Sequence, residues 1–197
     1  MMMKRCFAAA ACCAMLALPS SGFAQDQKPK MAVPGTPIAP AESLNALLSL
    51  MEREVVSAAD AMPADKYDFA PPVSSGEFKG VRSFGSQVKH LAQANYEFFD
   101  GWDVPGAVDP KTIEALKTKD DIMKALRDSY KYAHAAVNSI TVQNAFLATP
   151  GPEMYKGTRA SMAAFAMAHS MDHYGQLVVY LRMNGIVPPA SRPGANM

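Results

Sequence analysis

Two histidines four residues apart, His169 and His173, are the side chains of this sequence best spaced to act together. On a helix, residues at i and i+4 share a face about one turn apart. Two imidazoles so placed can share one metal ion. The same spacing also occurs in helices whose histidines are merely hydrogen-bonded core residues. An open catalytic site needs a third protein ligand and a position left for water or substrate. Two further histidines exist, His90 and His134. His90 is the first candidate, on the flank of an apolar stripe near Gln87, and a third-helix ligand, His134, stays open.

Asp172 stands between the paired histidines and is the candidate catalytic residue, orienting a ligand or moving a proton. Gln176 and Tyr180 lie further along the same helical face and could bind substrate. Three neutral imidazoles leave a dication largely uncompensated, which favours bound water or an anionic substrate group. Imidazole ligation points to a divalent transition metal, zinc or nickel rather than magnesium. Free imidazoles titrate near about 6.5, so proton competition is expected below about pH 6.

The element that must carry this pair is a helix over residues 160–184. Taking about 100° per residue, Met162, Phe165, His169, Asp172, His173, Gln176 and Tyr180 fall on one broad face. Met171, Tyr174, Val178 and Leu181 make the opposite side apolar too, which predicts a helix buried nearly all round. Met167 and Met171 point away from the histidines and read as core filling rather than copper ligands. Gly175 in mid-helix predicts close approach of a neighbouring helix. Asn184-Gly185, with Pro188 and Pro189 beyond, ends the run.

Three more helices precede it. The first spans about 41–61, with Leu44, Leu47, Leu48, Met51 and Val55 inward and Pro63 as the stop. The second starts at Ser83 as N-cap, with Phe84, Val88, Leu91, Asn95 and Phe98 inward. The third follows a capping sequence at Thr118-Lys119-Asp120-Asp121 and runs to about Ile140, with Ile122, Leu126, Tyr130, Ala133 and Val137 inward. A turn or two of helix is predicted at 111–117. Long Pro- and Gly-marked connections join these elements, and the loop over 63–80 has the length of a functional or crossover segment. No strand-like alternation or internal repeat appears. The prediction is an all-α four-helix bundle over residues 41–189, with a tail at 190–197.

The 197-residue chain is about half hydrophobic, at 49%, enough for a sizeable core. Residues 1–24 have the order of a secretory signal peptide: basic Lys4 and Arg5, an apolar run, then Gly22-Phe23-Ala24 before a cleavage point. All 3 cysteines, Cys6, Cys12 and Cys13, lie there, so the mature chain is expected to have no disulfide and no thiol nucleophile. Cleavage removes two bases and no acid, taking the formal charge from +1 to −1. A Pro-punctuated tether over 25–40 follows. The expected location is periplasmic or secreted, with no stable membrane span after cleavage. No basic stripe points to nucleic acid, and no GxGxxG, Walker loop or GxSxG motif occurs. The expected partner is a small-molecule substrate of unknown identity, and a homodimer is the assembly allowed.

These residues resemble the DinB/YfiT-like family of helical metalloproteins. The resemblance rests on Arg82-Ser83-Phe84-Gly85 with Val88-Lys89-His90-Leu91-Ala92, on His169-Ser170-Met171-Asp172-His173-Tyr174-Gly175-Gln176-Leu177, and on the tail from Tyr180 to Pro189. It covers roughly residues 41–189. It implies a bundle with up-down-down-up connection and a divalent metal held by His90, His169 and His173. Family members with known activity are similar to thiol-dependent transferases and isomerases. The expected function is an exported metal-dependent enzyme of transferase or hydrolase type. The competing expectation is a non-catalytic bundle that binds metal or a small ligand.

Overall fold

The structure is a computed structural model that describes residues 33–149 and 157–195. The expected signal peptide at 1–24 and the first half of the tether lie outside the described residues. The chain divides into residues 1–36 and residues 37–197. Of the first unit only residues 33–36 are described, a turn in which the Thr36 N–H donates to the Val33 carbonyl at 3.0 Å.

The second unit is all helical among its described residues: α1 (Pro40–Ala61), α2 (Phe84–Phe98), the single turn α3 (Lys111–Glu114), α4 (Lys119–Asn138) and α5 (Arg159–Met183). Local chemistry sets the ends. Pro40 opens α1, where its missing N–H costs nothing. The Ser83 side chain caps α2 by accepting from the Ser86 N–H, and Thr118 caps α4 by accepting from the Asp121 N–H. A full reciprocal capping box, Thr158 with Ser161, starts α5.

Each long helix packs on two others: α1 on α4 and α5, α2 on α4 and α5. Cross-helix contacts give the directions. His134 meets Glu52 and Asn138 meets Asn45, so α4 runs against α1. The buried Asn95 amide donates to Ser129 at 3.1 Å and Tyr132 donates to the Phe99 carbonyl at 2.9 Å, so α2 runs with α4. Gln87 meets His173 and Phe98 meets Phe165, so α5 runs against α2. The predicted inward stripes of α2 and α4 are all buried, and Leu48 and Val55 of α1 with them. Leu47 is not: it is 43% exposed, off the seam that α1 shares with α4 and α5. No helix among the described residues is long and apolar enough to cross a membrane.

The 63–80 connection is tied to both sides of the bundle. The Tyr67 hydroxyl donates to the Ala59 carbonyl at 2.8 Å, and the Tyr67 and Phe69 carbonyls accept from Gly85 and Phe84 at 2.7 and 2.8 Å. These bonds occupy the first amides of α2 and fix where that helix begins. Gly85 is the close approach here. A Cβ on it would stand 3.0 Å from Tyr67 Cδ1 and 3.1 Å from the Tyr67 carbonyl oxygen.

Candidate metal centre

The α2–α5 seam brings three histidines together. His169 and His173 project from one face of α5, as their spacing requires. The opposed run of α2 carries His90 to them. Ring centroids lie 4.6 Å apart for His169–His173, 4.8 Å for His90–His173 and 5.1 Å for His90–His169. One ligand nitrogen from each ring falls within 4.8 Å of the others. Among the described residues no fourth histidine, cysteine or carboxylate joins this group.

The donor set fits a divalent ion. His169 Nε2 is buried and has no hydrogen-bond partner, a loss that an ion would make good. Burial, then the Arg82 guanidinium, then the two neighbouring imidazoles lower the His90 pKa to about 4. Burial and His169 take His173 to about 4 against an opposing pull from Asp172, and burial lowers His169 as well. The rings are therefore neutral at pH 7, the form whose lone pairs bind metal.

His173 is oriented by α2. Its Nδ1 lies 3.1 Å from the Oε1 of Gln87, which is 1% exposed. An amide oxygen only accepts, so Nδ1 carries the proton and Nε2 is the atom left for an ion. The Gln87 amide also lies against the Tyr180 hydroxyl, while its Nε2 has no acceptor in good hydrogen-bonding geometry. Tyr180 donates to the Arg82 carbonyl at 3.1 Å and meets the Phe69 ring edge-on at 5.8 Å. Phe98 packs edge-on against His169 at 5.2 Å, and Phe165 lies 6.4 Å from the same ring.

The other sequence candidates fall elsewhere. Asp172 is exposed, and its Oδ2 accepts from Gln176 Nε2 at 3.1 Å. It reaches the histidines through its charge, which raises the pKa of His169 and His173. His134 is half-buried on the α1–α4 face, between Asn45 Oδ1 at 2.6 Å and Glu52 Oε2 at 3.0 Å, outside the cluster. Nor is α5 buried all round: Phe165, Asp172, Gly175, Gln176 and Val179 make an exposed strip. A Cβ on Gly175 would meet nothing within 4 Å, so no helix approaches it. Spacing along the chain does not by itself assign Gln87 a role. Its signal was a polar residue one turn before His90 at a position that turns out to be core.

A protein-family model described as the DinB superfamily matches residues 47–177. Two solved structures share the fold. A DinB-like protein from Bacillus cereus has TM-score 0.60 and 16% identity, covering 75% of this chain and 95% of its own. A DinB-like protein from Bacillus subtilis has TM-score 0.56 and 19% identity, covering 73% and 92%. No curated protein matches the chain.

Proposed function

We propose, for a chain that belongs to the DinB superfamily, that His90, His169 and His173 hold one divalent transition ion at the centre of a metal-dependent enzyme. The observation that carries this reading is the buried, unpartnered Nε2 of His169 facing two other neutral imidazoles. A divalent ion bound there would supply Lewis acidity and a lowered pKa for a coordinated water or thiol. With three protein ligands and no fourth among the described residues, the arrangement suits an open rather than a closed shell. Imidazole donors suit zinc or nickel.

The chain's own residues would divide the work. Gln87 holds His173 in one tautomer and orientation. Phe98 shields His169 on its flank. Asp172, exposed at the rim beside both α5 ligands, is the carboxylate available to accept a proton from a reacting group. The reaction class is a transfer or hydrolysis on a small molecule. The basic, apolar and small-residue order of residues 1–24 supports export to the periplasm or beyond.

Metal analysis of the mature protein, purified without chelator, tests the centre. About one zinc or nickel per chain is expected, lost on His90→Ala, His169→Ala or His173→Ala and kept on His134→Ala. Equal behaviour of His90→Ala and His134→Ala would overturn it.

A further inference from the structure

We infer that the α2–α4 side of the bundle carries a second binding site, for a small uncharged molecule with a flat apolar body and one acceptor oxygen, and that the Tyr96 hydroxyl is the group that recognises it. The site stands apart from the histidine cluster and does not depend on the metal reading.

The spacing on α2 separates the two sites. Tyr96 follows His90 by six residues, about 240° around the helix at about 100° per residue, so the two side chains leave α2 on different faces. Lys89, Gln93 and Tyr96, at i, i+4 and i+7, share the second face. Lys89 and Gln93 tie the connection between α2 and α4 back onto α2: Lys89 Nζ donates to the Glu114 carbonyl at 2.8 Å, and Gln93 Nε2 to the Pro110 carbonyl at 3.1 Å. Tyr96 packs instead on α4, its ring 5.0 Å from that of Tyr132. Between the tied connection and α4 lie two hollows of about 300 and 340 Å³, and Tyr96, Val108 and Asp128 wall both. Ile113, Leu116 and Ala125 extend the apolar wall of the first. Mostly apolar walls with a few polar groups are what small-molecule sites use.

The Tyr96 hydroxyl is the group this groove leaves without a partner. Tyr96 is 6% exposed, yet its hydroxyl bonds to nothing among the described residues. Tyr67, Tyr130, Tyr132, Tyr174 and Tyr180 each donate to a protein oxygen. Nor is the Tyr96 hydroxyl one of the fully enclosed polar atoms that lack a partner, which are Gln87 Nε2, Trp102 Nε1 and His169 Nε2. It therefore keeps a little surface, and the space beside Tyr96 is the groove. Burial, then the charge of Asp128, raise its pKa above the usual phenol range, so at neutral pH it presents an O–H. An acceptor oxygen on a ligand completes that bond.

The charges of the groove cancel. Asp128 meets Lys124 at 2.6 Å on one carboxylate oxygen and Lys131 at 2.7 Å on the other, and Asp121 accepts from the Thr118 hydroxyl at 2.6 Å. Two lysines against two aspartates offer neither an anion nor a cation a net field. A neutral body that covers Val108, 43% exposed, gains apolar contact instead.

The test titrates the purified protein with acetophenone, ethylbenzene, benzoate and benzylammonium, four single-ring probes that differ in the polar group. Amide NMR shifts report both affinity and place. Acetophenone should bind about three- to tenfold more tightly than each of the others, the worth of one hydrogen bond, and should move the resonances of Tyr96, Val108 and Ala125 rather than those around His169. Tyr96→Phe should remove the preference over ethylbenzene and leave Tm unchanged, because no bond within the protein is lost. Ala125→Phe, which fills the groove, should abolish binding of both probes while circular dichroism shows the helices intact. A charged probe that binds as tightly as acetophenone, a preference that survives Tyr96→Phe, or shifts confined to the histidine cluster would overturn the inference. So would a lower Tm for Tyr96→Phe, which would mean that the hydroxyl already has a partner in the protein.

Discussion

His173 Nδ1 lies 3.1 Å from Gln87 Oε1, and this contact joins α5 to α2 through the ring nitrogen opposite Nε2. A ligand histidine held this way loses little freedom when an ion arrives. Gln87→Ala is expected to lower zinc affinity by about 10- to 100-fold, as partners behind metal ligands do. Asp172→Asn should cost less, because Asp172 bonds to Gln176 rather than to either ring. Competition titrations against a chromophoric chelator read both. A larger loss for Asp172→Asn would give the orienting role back to that carboxylate.

His134 joins helices rather than metal. Its two ring nitrogens face Asn45 and Glu52 across the α1–α4 seam. His134→Ala should lower unfolding stability by about 1–3 kcal/mol and leave metal content unchanged. Urea denaturation and metal analysis of one preparation check the pair. Loss of the ion with stability intact would contradict the placement.

Acid should act on the metal-free fold first through the buried rings. His90 and His173 have pKa values near 4 in the folded chain, against about 6.5 when free. Above about pH 6.5 both states hold them neutral and they do not alter stability. As pH falls from about 6.5 toward 4, the unfolded chain binds protons that the folded chain refuses, and stability drops. Chelated protein should show a falling Tm across that window, and the His90→Asn, His173→Asn double variant a shallower fall. Proton competition with the ion should likewise set in at lower pH than free imidazoles would give, because burial opposes charging. Equal acid slopes in the two proteins would refute this account.

Two glycines should respond in opposite ways to alanine. Gly175 has open space where a Cβ would go, in mid-helix and exposed. Gly175→Ala should stabilise by about 0.5–1 kcal/mol through helix propensity. Gly85→Ala would press a methyl onto the Tyr67 ring and carbonyl and should destabilise by about 1–3 kcal/mol. Thermal denaturation of the two variants decides, and a stabilised Gly85→Ala would show that the 63–80 connection yields easily.

The sequence by itself determined what is local. The helical period placed the inward residues of α2 and α4, Ser83 and Thr118 announced their helices, and the i, i+4 spacing put His169 and His173 on one face before any packing was known. These follow from hydrogen bonding and side-chain spacing within a few residues. Tertiary packing decided the rest. His90 joins the pair and His134 does not because α2 adjoins α5 while His134 faces α1. Gln87 rather than Asp172 meets His173, and Gly85 rather than Gly175 is the close approach. A helix's own period says which residues share a face. Its rotation against its neighbours, which selects the buried face and the ring that stands opposite, is set by residues distant in the chain.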